Sequence, residues 1–303
     1  MTTPPDGSDL ALVVGGCGTI GQALLDRFRG EGLVVLSTWF NGRPERVSTR
    51  SYFLDLSKDD SSWNLPKEPI DIAVLCAGIT SVEKCEEDPE ATRRINVHGT
   101  LALAEKLAAQ GAFIVFLSSD RVFSGRTLFP GVGDQPEPAS QYGLQKVEVE
   151  AGLSVLGEEF AVVRLGKVIG PTTPIFASWL SDLRSGRQIR PFNDFFFAPI
   201  SLRCAVNLIV DISVNRRSGI FHATAPDDVS YADAARWLAD AVGARQALVE
   251  PVSGQEVLMT QVLPRSVALS TTLDLVRYGP IGLESLCELV NREPIEKRAP
   301  RDH

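Results

Sequence analysis

Residues Leu10 to Gly21 read LALVVGGCGTIG, and the fold is decided there. Leu10 to Val14 is an apolar run too short for a helix and free of turn residues, so it predicts a buried strand. Gly15, Gly18 and Gly21 follow at regular spacing, and the amphipathic stretch Gln22 to Arg29 continues as a helix. A strand that turns through glycines into a helix leaves the first helical N–H groups without acceptors, with the positive end of the helix dipole at the turn. That is an anion site. Glycine suits it because a Cβ would hold a pyrophosphate away from the backbone, and because the turn can use positive φ. The plainer reading of the same glycines is a tight turn between a core strand and a core helix. The strand–turn–helix context favours the anion site.

Outward from this unit, strand patterns recur at Leu33–Thr38, Tyr52–Leu56, Ile70–Cys76, Ala112–Leu117 and Phe160–Leu165. Helical spacing of apolar residues runs over Pro89–Gln110, opened by Asp88-Pro89 and closed by Gly111, and again over Gln141–Leu156. Strands alternating with helices predict an α/β fold, a Rossmann-type doubly wound parallel sheet with ligands at the carboxyl ends of its strands. Ala77-Gly78 and Ser118-Ser119-Asp120 fall at such ends. The Gly- and Pro-rich stretch Phe123–Gln141 predicts an exposed lid or rim. Beyond Gly170-Pro171 the pattern changes to helices and short strands, a smaller C-terminal α+β substrate lobe interleaved with the first domain. The expected division is 9–170 for the nucleotide-binding domain, which some later segments rejoin, and 171–291 for the lobe. Residues 1–8 and 292–303 are expected to be disordered tails.

Composition limits the function. The 303 residues are 44% hydrophobic and 22% charged, ordinary for a globular protein, and carry a net charge of −8. That balance argues against nucleic acid as a partner, which calls for a basic face, but not against a small anion held by local cations. Cys17, Cys76, Cys85, Cys204 and Cys287 are scattered with no CxxC pair, which predicts reduced, mostly buried thiols and no metal site. MTTPPDGSD has no basic leader, and no apolar run is long enough to span a bilayer, so the expected location is cytoplasmic, with no membrane partner.

The end of the second strand chooses the dinucleotide. An acid there binds both ribose hydroxyls of NAD, whereas an arginine nearby suits a 2′-phosphate. Ser37-Thr38-Trp39 carries no carboxylate, and Arg43 and Arg46 lie just beyond, which favours NADP(H) over NAD. Two solvated loop arginines are the alternative.

Tyr142 and Lys146 are four apart on a predicted helix and share one face. They are either a solvent-exposed pair or a proton donor. A phenol with an ordinary pKa of about 10 is a poor acid–base at neutral pH, and a neighbouring ammonium moves it toward the operating range. Ser119, at a strand end one element earlier, is placed to donate a hydrogen bond to the same substrate oxygen.

Taken together, Gly15-x-x-Gly18-x-x-Gly21, Asp55-Leu56, Ala77-Gly78, Asn96-Val-x-Gly-Thr100, Ser118-Ser119 and Tyr142-x-x-x-Lys146 resemble the extended short-chain dehydrogenase/reductase superfamily in order and spacing. Within it the chain looks most like the dTDP-4-dehydrorhamnose reductase family, over residues 10 to about 290. That family's Val-Asp-x-x-Glu appears as Val82-Glu83-Lys84-Cys85-Glu86, and its Ser-Thr-Asp-Tyr-Val-Phe as Ser118-Ser119-Asp120-Arg121-Val122-Phe123. Its Asn-Asp-Gln-Phe-Gly-x-Pro-Thr is similar to Asn193-Asp194-Phe195-Phe196-Phe197-Ala198-Pro199-Ile200.

The resemblance implies cofactor contacts from Gly15, Cys17, Gly18, Thr19, Ile20, Gly21, Arg43, Asp55, Leu56, Ala77, Gly78, Tyr142 and Lys146. It implies that Tyr142 protonates a ketone oxygen, that Lys146 lowers the tyrosine's pKa and holds the nicotinamide ribose, and that Ser119 replaces the family's threonine in polarising the carbonyl. Asn96 is implied to be structural. Asp120, Arg121, Lys167 and Phe196 are the implied substrate contacts, and a homodimer is compatible with the family.

Departures from the pattern bear on the substrate. Arg121 replaces a family tyrosine and Lys167 a family tryptophan, both of which face the sugar in the family. Phe195 and Phe197 replace a glutamine and a glycine. Arg121 and Lys167 either pair with acids of their own lobe or face the pocket, in which case an added carboxylate or phosphate fits better than a neutral deoxyhexose. The leading reading is an NADPH-dependent reductase of a nucleotide-linked or otherwise anionic keto-sugar. Open beside it are an epimerase or dehydratase of the same superfamily, and a nucleotide-binding regulatory subunit like that of methionine adenosyltransferase. Dehydratases carry an Asp-Glu pair where this chain has Asp120-Arg121, which speaks against dehydration.

Overall fold

The computed structural model describes residues 9–42, 50–257 and 266–290. Both expected tails lie outside the described residues, as do Arg43 and Arg46.

Strand β1 (Leu10–Val14) is buried at every position, as an unbroken apolar run requires when both faces of a parallel sheet are covered. It is followed by β2 (Val34–Trp39), β3 (Ser51–Phe53), β4 (Ile72–Leu75), β5 (Phe113–Ser119) and β6 (Phe160–Leu165). Two short pairs come next in the chain: β7 (Lys167–Ile169) lies parallel to β9 (Pro199–Ser201), and β8 (Phe196–Phe197) is antiparallel to β11 (Val229–Ser230). Between them in sequence, β10 (Gly219–Ala223) returns to pair with β6. The large sheet is β3-β2-β1-β4-β5-β6-β10, parallel throughout. Strand order reverses between β1 and β4, the switch point at which a doubly wound sheet opens its ligand crevice.

Alternation along the strands divides the core into two layers. Val13, Val74, Val115 and Val163 face helices α1 (Thr19–Gly30) and α7 (Leu202–Val214). Leu12, Ala73, Ile114 and Val162 face the opposite side, covered by Leu103 and Leu107 of α4 (Thr100–Ala108) and by Val149 and Leu153 of α5 (Gln141–Leu153). A third cluster joins α6 (Pro174–Arg184) and α8 (Tyr231–Ala241) around Phe176, Phe197 and Leu238. The stretch 202–223 therefore packs with the sheet, while α6 and α8 form a core of their own.

Two expected elements take a different form. The third strand stops at Phe53, because the Asp55 carboxylate accepts from the Ser57 amide at 2.9 Å and turns the chain. The long helix expected over Pro89–Gln110 is interrupted. It runs as a short helix at Pro89–Arg93, a π-helical segment at Arg94–Gly99, then α4. Gly99 packs so closely on Leu56 that a Cβ there would lie 2.2 Å from its carbonyl oxygen. The widened turn aims Asn96 inward. Its amide group accepts from Ile79 N–H at 2.7 Å and donates to the Ile79 carbonyl at 2.9 Å and to Gln145 Oε1 at 2.8 Å. Asn96 thus ties the loop after β4 to α5, a structural role.

Candidate functional site

The glycine turn has the geometry an anion needs. Gly15 adopts φ +86°, and a Cβ on it would press on the Ala77 backbone at 2.9 Å. Gly21 lies so close to the turn that a Cβ would meet the Gly15 carbonyl oxygen at 2.3 Å. Gly18 differs, since among the described residues a Cβ there meets no atom nearer than 3.5 Å. Its bareness serves space outside the protein. Gly18 is also the N-cap of α1, with no side-chain cap and no acid in the first turn, so the amides of Thr19, Ile20 and Gly21 point outward without intrahelical acceptors. Beside this turn a cleft of about 580 Å³ is lined by Gly15, Cys17, Gly18, Asp55, Leu56, Ala77 and Gly78, with Thr38 and Trp39 at the end of β2. Seven of the expected cofactor residues thus share one wall, and Thr19, Ile20 and Gly21 form the helix start below it. The shape and the uncapped amides fit a dinucleotide. The β2 end offers it no carboxylate: Thr38 Oγ1 accepts from the Gly15 amide at 3.1 Å, and Ser37 is fully buried.

Ser119 ends β5, and Tyr142 and Lys146 lie one turn apart on α5, which opens at the Ser140 cap (Gly143 N–H to Ser140 Oγ, 3.2 Å). Gly143 allows the approach: a Cβ there would lie 2.2 Å from the Arg121 carbonyl oxygen, so α5 abuts the end of β5. Tyr142 is 8% exposed and Ser119 is 9%. Ser119 Oγ donates to Asp120 Oδ1 at 2.8 Å and accepts from the Arg121 amide at 3.2 Å. Lys146 Nζ donates to the Leu117 carbonyl at 2.8 Å and lies 5.6 Å from the Tyr142 ring centre. Burial pushes the Lys146 ammonium down to about 8, opposed by the Glu150 carboxylate. Burial pushes the Tyr142 phenol up, and the Asp120 carboxylate adds to the rise while the Ser119 hydroxyl counters it. This departs from the expected Lys146-driven fall toward neutrality. Desolvation of the buried phenol outweighs the Ser119 hydrogen bond and the Arg121 charge, which act to lower it. The phenol keeps its proton at neutral pH.

Asp120, Arg121 and Lys167 gather at the same strand ends. Ser119 pairs with Leu165 in the register of β5 and β6, so Arg121 and Lys167 each lie two residues beyond matched positions. The Arg121 guanidinium lies over the Phe195 ring at 5.9 Å, and Phe195 stacks on Tyr231 at 5.4 Å. Phe197 packs on Tyr231 too, at 4.7 Å, so Phe196 alternates to the opposite face of its strand. Phe195 is the ring that meets Arg121. Tyr231 was not anticipated: it opens a helix more than thirty residues from Phe195, and the β8–β11 pairing and a hydrogen bond from its amide to the Phe195 carbonyl (3.2 Å) join the two.

A second unanticipated group lies beneath Tyr142 and Lys146. Arg164 on β6 is 2% exposed and donates to Glu150 of α5 (Nη2 to Oε2, 2.6 Å). Glu150 also accepts from Ser118 Oγ at 2.5 Å. Arg164 Nη1 is 3.1 Å from His222 Nε2, and His222 Nδ1 is 2.8 Å from the Ser270 carbonyl. A carbonyl only accepts and a guanidinium only donates, so the imidazole is neutral with its proton on Nδ1. Burial holds His222 below its usual value in keeping with that. The available signal was an arginine in the apolar run FAVVRL, a charge that a buried strand tolerates only when paired.

Fold and site together are those of an extended short-chain dehydrogenase/reductase. A family model described as the RmlD substrate binding domain matches residues 10–276, and the chain belongs to that family. It is similar to a dTDP-4-dehydrorhamnose reductase of Streptomyces griseus, 28% identical over 223 residues, 71% of this chain and 72% of that one. It is also similar to the methionine adenosyltransferase 2 subunit beta of Xenopus laevis, 24% identical over 261 residues, 82% and 76% of the two chains. The solved structure of a dTDP-4-dehydrorhamnose reductase from Clostridium acetobutylicum shares the fold, with a TM-score of 0.77 at 23% identity over 93% of this chain and 98% of that one. Among the described residues, no helix is long and apolar enough to cross a membrane.

Proposed function

We propose that the protein is an NADP-dependent reductase of a keto group on a nucleotide-linked or otherwise anionic sugar. The observation that carries this reading is the packing of Tyr142 and Lys146 of α5 against the end of β5, where Ser119 lies, in a sheet whose β1 leads into an uncapped glycine turn. When bound, the reduced nicotinamide supplies hydride to the carbonyl carbon. Tyr142 donates its proton to the carbonyl oxygen as negative charge develops there, a role that needs a neutral phenol at the start. Ser119 turns its hydroxyl from Asp120 toward the same oxygen and steadies that charge. Lys146, one turn on, would hold the nicotinamide ribose, and its ammonium supplies a cation 5.6 Å from the centre of the Tyr142 ring. The name of the Streptomyces griseus relative supports a keto-sugar nucleotide as substrate. The methionine adenosyltransferase relative keeps a second reading in view, a nucleotide-binding subunit without turnover. Oxidation of NADPH on addition of dTDP-4-dehydrorhamnose separates the two.

NADPH should bind more tightly than NADH, because the β2 end lacks a carboxylate for the ribose hydroxyls and the following segment carries Arg43. Arg43→Ala should erase most of that difference, about 1–3 kcal/mol for a charge-assisted phosphate contact. Fluorescence titration checks this, and equal affinities in the wild type would refute it.

The charge on Lys146 gives a second expectation. Its value near 8 means that the ammonium is present at neutral pH and is lost as pH rises through about 8. The profile of kcat/KM reports the free enzyme, so kcat/KM should fall on the alkaline side with a midpoint near 8. A profile flat to pH 10 would show that the charge of Lys146 is not used.

A further inference from the structure

We propose that Arg121 and Lys167 form a receptor for an anionic substituent carried on the sugar ring itself, beside the carbonyl that Tyr142 protonates. The inference rests on the reductase reading above and names the substrate class within it.

The placement comes from the backbone. Arg121 and Lys167 stand two residues beyond the matched pair Ser119 and Leu165, so both lie at adjacent carboxyl strand ends, the side of such a sheet that takes ligands. The Arg121 carbonyl abuts Gly143, next to Tyr142 in the chain. Any group held by these two cations lies next to the reacting atoms.

The two cations share one carboxylate, Asp120, at longer range, which leaves the three groups with one net positive charge. Both are half-buried, yet among the described residues neither has an ion-pair partner within 4.0 Å. Two acids were available for that part. Asp120 counters both cations from a distance without a close ion pair to either, and its Oδ1 accepts from Ser119. Asp194 is committed elsewhere, accepting from Ser253 Oγ at 2.6 Å, Gly254 N–H at 2.5 Å and Gln255 N–H at 3.2 Å. Burial and then the charge of Arg121 push the Lys167 ammonium down, with Asp120 only partly opposing them. Two like charges in a partly desolvated crevice destabilise each other until an anion lies between them.

Arg121 is also shaped for the task. Its guanidinium lies over Phe195, which is stacked on Tyr231. A guanidinium resting on an aromatic face keeps its N–H donors in its own plane, where they bind an oxyanion as a fork. Lys167 adds a point charge from the neighbouring strand. A neutral deoxyhexose leaves one positive charge in excess over Asp120, whereas a ring carboxylate balances it.

The test compares UDP-glucuronate with UDP-glucose, which differ only in a carboxylate for a hydroxymethyl group. Titration calorimetry on the full chain saturated with NADP⁺ should show UDP-glucuronate binding at least tenfold tighter. Arg121→Gln and Lys167→Met, measured singly, should each reduce that ratio at least threefold, with thermal midpoints confirming a folded protein. The two singles guard against one variant failing to fold. The inference is overturned if UDP-glucuronate binds no tighter than UDP-glucose. It is equally overturned if both folded variants retain the wild-type ratio, or if they weaken the two ligands alike, which would assign the cations to the diphosphate. Failure of the protein to bind NADP⁺ in the preliminary titration would count against the reductase reading instead.

Discussion

Tyr142→Phe is expected to lower kcat by about 10²–10⁴ while leaving NADPH affinity nearly unchanged, the usual worth of a positioned general acid. The change removes one oxygen from a side chain that is 8% exposed and leaves the ring in place, so folding should be little affected. What is lost is a proton held where an alkoxide forms. Burial and the Asp120 carboxylate keep that proton on the phenol at neutral pH, which suits donation more than abstraction. A substituting water would have to enter a site walled by Ser119, Arg121 and the α5 backbone. Steady-state kinetics with saturating NADPH measures the effect. Normal turnover by Tyr142→Phe would move the acid to another group and leave the fold assignment untouched.

The largest effect on stability is expected from Glu150→Ala. The substitution removes the partner of an Arg164 guanidinium that is 2% exposed, and it strands the Ser118 hydroxyl as well. Breaking a buried pair from one side costs about 3–5 kcal/mol, because the remaining charge is left desolvated. Glu150 lies on α5 eight residues beyond Tyr142, so the loss also loosens the helix that carries Tyr142 and Lys146 against β5 and β6. Urea unfolding should show the midpoint falling steeply. Glu150→Ala combined with Arg164→Leu should recover much of the loss, since an apolar pair leaves no charge unpaired. A Glu150→Ala protein within about 0.5 kcal/mol of wild type, the range of an unremarkable surface change, would show that Arg164 reaches solvent on its own.

The sequence carries the fold because its signals are local. An apolar pentapeptide, three glycines and an amphipathic helix fall within twenty residues, and each dictates the next by sterics alone. The same is true of Tyr142 and Lys146, whose helical spacing is their geometry. Asn96 was legible too, though not the π-helical turn that carries it, nor the close approach of Gly99 to Leu56 at the end of that turn. What escaped were contacts between distant segments. Phe195 and Tyr231 meet through a two-residue strand pair, and Phe196 could be told from Phe195 only once that pair fixed which ring faces Arg121. The Glu150–Arg164–His222 group draws on α5, β6 and β10, and no spacing within one element announces it. The phenol's raised value has the same origin, because burial is set by every neighbour at once.

The central claim is that this chain transfers hydride to a sugar carbonyl, and the isotope measures it most directly. NADPH carrying deuterium at the transferable position of the nicotinamide would be incubated with the protein and dTDP-4-dehydrorhamnose, and the product analysed by mass spectrometry and proton NMR. The account predicts a reduced sugar with one deuterium on the former carbonyl carbon, formed together with NADP⁺ and lost in Tyr142→Phe. A sugar recovered without deuterium, with NADPH unconsumed and Tyr142→Phe indistinguishable from wild type, would contradict it.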